Sequence, residues 1–200
     1  MAYAGQTLEN PASGERITFR RTSAATGGEL LAIDLELPAN RRVPGGLHIH
    51  PLQEERFEVV EGTMRFRMGR QRIVAGSGEV VVVPPGAKHD FANAGDDQAL
   101  VRVEVRPALR MEQLFETAVG LAEQGRTTLG GIPKPLDLAL FVEEFEDEVQ
   151  AAFPSRWLLR LVLAPLARLA RRRRSRRSAP QSARAGRPRK ASAGCREGVA

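Results

Sequence analysis

Gly45-Gly46-Leu47-His48-Ile49-His50-Pro51-Leu52-Gln53-Glu54-Glu55, with Gly62, forms one half of the stretch that decides this fold. Gly78, Val83-Pro84-Pro85-Gly86-Ala87-Lys88-His89 and Asn93 form the other, and the two together hold every histidine of the chain. His48 and His50 lie two apart, so on an extended strand both side chains leave the same face. Glu55 follows, and His89 arrives behind a Pro-x-Gly turn. Three imidazoles and a carboxylate are enough to hold a divalent transition metal while leaving positions open for ligands. A single His-x-His would more simply be two packed histidines; a third histidine and an acid favour the metal.

Around this stretch the hydrophobic period is two. Ile17 and Phe19 alternate with Arg16 and Arg20, and Leu31, Ile33, Leu35 and Leu37 alternate with Asp34 and Glu36. Residues 54–60 and 63–68 predict a hairpin about Glu61-Gly62, with Phe57 and Val59 facing Met64, Phe66 and Met68. Val80 to Val83 reads as a short continuous apolar strand, His89 and Phe91 share a face, and Val101, Val103 and Val105 alternate with charged residues. Short strands separated by Gly/Pro turns predict an antiparallel sandwich or barrel.

The two motif halves resemble those of the cupin family. The first motif of that family, G-x5-H-x-H-x(3,4)-E-x6-G, is met by His48, His50, Glu55 and Gly62, with Glu55 rather than Glu54 at the right distance from Gly62. Its opening glycine would fall on Arg42, with Gly45 and Gly46 close by. The second, G-x5-P-x-G-x2-H-x3-N, is met in full by Gly78, Pro84, Gly86, His89 and Asn93. The resemblance implies a small single-domain, type-2 cupin: an all-β jelly-roll barrel over residues 16–107, after a lead-in at 1–15. It implies one divalent transition metal (Fe, Mn, Ni, Cu, Co or Zn) on His48, His50, Glu55 and His89, with Glu55 also the candidate catalytic residue.

After Pro107 the period lengthens. Met111, Leu114, Phe115, Ala118, Val119 and Ala122 recur at helical spacing. Beyond a linker from Gly125 to Pro135, Leu138, Phe141, Val142, Phe145, Val149 and Ala152 make a second helical stripe, opposed by Glu143, Glu144, Glu146, Asp147 and Glu148. Residues 108–153 therefore read as a helical extension with an exposed acidic face. Residues 154–170 read as an amphipathic basic helix, with Arg156, Arg160 and Arg168 in one stripe opposite leucines. This segment is too short and too charged to span a membrane.

The formal charge of +6 conceals two opposite parts. Residues 171–200 carry a net +10, which leaves −4 for residues 1–170. That tail, rich in Arg, Ala, Ser and Pro, reads as disordered. Three readings compete for residues 155–200: packing on the barrel or on a second subunit as a homodimer, peripheral contact with an anionic membrane through 155–177, or nucleic-acid binding. No aromatic residue interleaves the arginines, which argues against the last. With one cysteine, Cys195, no internal disulfide can form. Met1 to Pro11 shows no secretory signal, so a cytoplasmic protein is expected, with the membrane contact peripheral.

For the reaction, the expected neighbours of the site, Phe57, Val59, Met64, Phe66 and Phe91, are apolar. Sugar-nucleotide epimerase-like cupins would use a His/Asp pair and basic residues, which are missing here. An apolar pocket beside a metal suits a small oxygenase or isomerase acting on an aromatic or enolisable compound, as in quercetin-dioxygenase-like cupins. The alternative is a sensor that binds a small molecule in the barrel without turning it over.

Overall fold

The structure is a computed structural model that describes residues 2–152, 164–169 and 171. Period-two segments form two antiparallel sheets that face each other around one core, a jelly-roll barrel. The first sheet has the order β1 (Thr7–Glu9), β2 (Arg16–Arg21), β3 (Leu31–Leu37), β10 (Ala99–Arg106), β5 (Glu54–Glu61), β8 (Val80–Val83). The second runs β11 (Gln150–Ala151), β4 (His48–Ile49), β9 (Lys88–Asn93), β6 (Thr63–Met68), β7 (Gln71–Gly76). Alternation settles which side chains go inside: Ile33, Leu35, Phe57, Val59, Val101, Val103 and Val105 from the first sheet meet Met64, Phe66 and Phe91 from the second.

One strand expectation needs correcting. Residues 54–61 and 63–68 are consecutive but not a hairpin, because β5 pairs with β10 and β8 while β6 pairs with β7 and β9. Phe57 and Phe66 do face each other, with ring centroids 5.2 Å apart, but across the barrel interior rather than along a ladder. The chain switches sheets at Gly62, whose φ is +88°. A β-carbon there would come within 3.0 Å of Ala99 Cα, so both the turn and the close approach require glycine. Val80–Val83 is the expected short apolar strand, but it lies at a sheet edge and is buried on one face only: Val81 and Val83 are buried, Val80 and Val82 exposed.

Asn93, the last residue of the second motif, does structural work. Its Nδ2 donates to the carbonyls of Leu37, Pro38 and Asp97 at 2.7–3.1 Å, and its Oδ1 accepts from Gly95 N–H at 2.9 Å. It thus ties the end of β3 to the turn before β10. Asn93→Ala would strand those buried groups, at about 1–3 kcal/mol for each that water cannot reach. We expect a loss of about 3 kcal/mol in urea unfolding with metal content unchanged; a loss below about 1 kcal/mol would show that the turn holds without it.

Beyond the barrel, α1 (Met111–Glu123) packs Met111 and Leu114 into the core. The second helical stripe is interrupted. α2 (Pro135–Glu144) stops where Phe145 turns inward, fully buried, and the chain then forms β11 instead of a further helical turn. Val149 and Ala152 therefore lie off the helix, and Glu148 is buried rather than part of an exposed acidic face. Residues 164–169 are helical; Leu166 and Ala167 pack against Ala139, Leu140 and Val142 of α2, and Arg171 pairs with Glu143. Most of the expected basic helix, and the tail at 172–200, lie outside the described residues. Among the described residues no helix is long and apolar enough to cross a membrane.

Candidate metal centre

The four candidate ligands come from three neighbouring places in the barrel. β4 is a two-residue strand whose His48 stands directly opposite His89 on β9. His50 follows at the end of β4, and Glu55 projects inward from β5, on the same face as Phe57 and Val59. One potential ligand atom from each of His48, His50, Glu55 and His89 lies within 4.8 Å of the other three. Atoms bound to one ion at about 2.0–2.2 Å sit roughly 3–4.3 Å from one another, so this set closes on a metal with small side-chain shifts.

Hydrogen bonding fixes what each ring offers. Nδ1–H of His48 donates to Gly46 O at 2.7 Å, that of His50 to Glu148 O at 2.5 Å, and that of His89 to Ala87 O at 3.1 Å. A carbonyl can only accept, so each imidazole carries its proton on Nδ1 and leaves the Nε2 lone pair free. His50 Nε2 lies 3.4 Å and His89 Nε2 2.8 Å from Glu55 Oε2. Yet neither His89 Nε2 nor Glu55 Oε2 has a hydrogen-bond partner, although both are buried. With the proton of His89 held on Nδ1, a nitrogen lone pair and a carboxylate oxygen face one another at 2.8 Å, and a cation beside both would satisfy them.

The electrostatics agree. Burial would raise the Glu55 carboxyl, but the three imidazoles outweigh it and bring its pKa down to about 2, so it is a carboxylate at every working pH. Burial, helped by His50 and His89, lowers His48 to about 4 and keeps that ring neutral. Burial also acts to lower His89, but the adjacent Glu55 carboxylate outweighs it, and the net shift is upward. A buried carboxylate beside three imidazoles can hold a metal ion; the donor set is compatible with several divalent transition metals.

The five apolar residues expected around the site are all within the core. Phe57 lies 4.8 Å from Phe91 and 5.2 Å from Phe66, centroid to centroid, so they form a packed floor beneath the ligands rather than an open cavity wall. Of the four ligands only His48 is not fully buried. Met68, half-buried on the inner face, stands directly opposite His89. The sequence reading passed over Gln53, which is completely buried and donates to the carbonyls of Pro107 and Ala108. It also passed over Glu148, whose contact with His50 runs through a backbone carbonyl that leaves no trace in residue type.

Residues 35–105 match the cupin domain family. On this match, and on the barrel that contains it, that segment is a cupin domain. No curated protein sequence matches it. Among solved structures, it is similar to a predicted oxalate decarboxylase from Thermotoga maritima (18% identity, 52% of this chain and 92% of that one, TM-score 0.46). It is also similar to KdgF from a Halomonas species (16% identity, 51% and 88%, TM-score 0.43). A third likeness is to the DMSP lyase DddQ from Ruegeria pomeroyi (29% identity, TM-score 0.36), over 41% of this chain and 40% of that one.

Proposed function

We propose that this cupin is a metal-dependent enzyme, an oxygenase or isomerase acting on a small apolar or enolisable compound. The observation that supports this most directly is the proton arrangement: three Nδ1–H groups held by carbonyls, which turns three Nε2 atoms toward one ionised carboxylate. A divalent transition ion bound there would supply a Lewis-acid centre that polarises an oxygen-bearing substrate. His48, His50, Glu55 and His89 would hold it.

The chain's own residues account for the remaining steps. The packed Phe57, Phe66 and Phe91 floor excludes water from below, so a substrate approaches from the side of His48. Met68 beside His89 offers that substrate an apolar, deformable contact. Glu55, the only carboxylate in the cluster, is placed to accept a proton from the carbon or hydroxyl being activated. Gln at position 55 keeps the shape but loses this capacity. Glu55→Gln is therefore expected to lower turnover about a hundredfold while metal content, read by elemental analysis, falls much less. The substrate screen would follow oxygen uptake and product formation with enolic and aromatic compounds. Tight binding of such compounds with no product from any of them would favour the sensor reading instead.

A further inference from the structure

The segment after α2 reaches back to the metal ligands and touches them twice. β11 pairs with β4, Gln150 opposite Ile49 and Ala151 opposite His48, so the strand that carries His48 is enclosed between β9 and β11. Ala152 N–H adds a bond to Leu47 O at 3.3 Å. Three residues earlier than β11's end, Glu148 O is the acceptor for His50 Nδ1–H, 98 residues away in sequence. Two of the three histidines are thus oriented by residues that lie outside the segment 35–105 matched by the family.

What anchors this segment is equally specific. Glu148 is 3% exposed, and its carboxylate accepts from Arg110 N–H at 3.1 Å. The Arg110 guanidinium donates to Glu144 O and to Glu144 Oε1, and lies 5.1 Å over the ring of Phe145. Phe145 itself is fully buried in the core, and Glu148 and Val149 N–H both return to its carbonyl. On the barrel side, Gln53, between His50 and Glu55, binds the carbonyls of Pro107 and Ala108 just before Arg110.

We propose that residues 144–152 are a strap built into the metal centre, with Glu148 and Arg110 as positioning residues that never touch the ion. This rests on the metal reading above. With the strap closed, the His50 proton stays on Nδ1 and β4 is not a sheet edge; with it lifted, His50 can rotate and exchange tautomer, and His48 loses one of its two neighbouring strands. Because the strap orients the ligands, metal binding and strap closure favour each other by the same factor. The strap is therefore a place where anything that pulls on α2 would alter metal affinity.

The test uses the full-length chain and Zn²⁺, with a chromophoric chelator as competitor. Glu148→Ala and Arg110→Ala are each expected to weaken Zn²⁺ binding about ten- to hundredfold, the usual effect of losing a residue that orients a metal-binding histidine. Glu148→Gln, which keeps the acceptor for Arg110 N–H, should stay within about threefold of the parent. Hydrogen exchange on the unaltered protein gives a second readout that needs no variant: the amides of Glu148, Val149 and Ala152 should exchange more slowly with Zn²⁺ than with chelator. If the parent binds no Zn²⁺, the metal reading falls and the strap falls with it. If the parent binds Zn²⁺ but these amides exchange alike in both states, and folded variants bind as tightly as the parent, the strap proposal alone is overturned.

Discussion

Carrying both His48→Ala and His50→Ala, the purified protein is expected to hold no transition metal, against about one ion per chain in the parent. The two rings leave one end of one short strand and supply half of a four-member set. What remains is His89 and Glu55, whose Nε2 and Oε2 lie 2.8 Å apart. Without an ion, a proton on Nε2 needs only a small turn of the ring to satisfy both groups, so the pair has its own alternative to metal. Two protein ligands facing that competition hold a divalent ion poorly. Elemental analysis after dialysis against a weak chelator measures the outcome. Stoichiometric metal in the double variant would remove these residues from the site, and with them the reading of Glu55 as a base beside the ion.

The second large effect concerns the floor of the site. Phe57→Ala is expected to cost about 4 kcal/mol, since a fully buried phenylalanine cut to alanine loses its burial and leaves a cavity. Domains of this kind are stable by only about 5–15 kcal/mol, so the loss is a large share of the total. Phe57 sits two residues from Glu55 on β5, with Val103 of β10 on one side and Val81 of β8 on the other. Its ring meets both Phe66 and Phe91, which also meet each other. Because both sheets converge on it, the surrounding backbone has little freedom to collapse into the gap. Urea unfolding of metal-free protein reads the change directly. A loss under about 1 kcal/mol would mean that the space under the ligands is already loosely filled, and the substrate could then enter deeper than we infer.

Much of this arrangement is legible in the sequence, and the exceptions share a cause. A period of two says which face of a strand is buried, so Ile33, Phe57, Phe91 and Val103 could be placed inside without knowing any partner. It does not say which strand lies alongside. Hence 54–60 and 63–68, joined by one glycine, look like a hairpin, although β10 and β8 occupy both edges of β5. Val80 and Val82 show a related limit: valine suits an edge strand's outer face as well as a core, and only the neighbours decide. The four candidate ligands were legible because their spacing fits the two motif halves, which also single out Glu55 over Glu54. The strap was not. Its stripe continues the helical period through Val149, and the atom that matters is a main-chain oxygen, which every residue possesses. The anionic-membrane reading of residues 155–177 remains an expectation from the leucine face and the arginines of the sequence, since most of that segment lies outside the described residues.

The order in which the chain leaves the ribosome gives the placement of β10 and β11 another meaning. β10 lies between β3 and β5, both made long before it, and every such distant pairing must first overcome the entropy of closing the loop between them. While only the first motif has emerged, His48, His50 and Glu55 have neither His89 nor the β9 strand that holds β4 in place. The carbonyl that sets the His50 proton arrives 98 residues after His50 itself. The four-residue cluster with its His50 acceptor is thus complete only after synthesis has passed residue 152, so any ion it takes would meet the finished protein rather than the growing one.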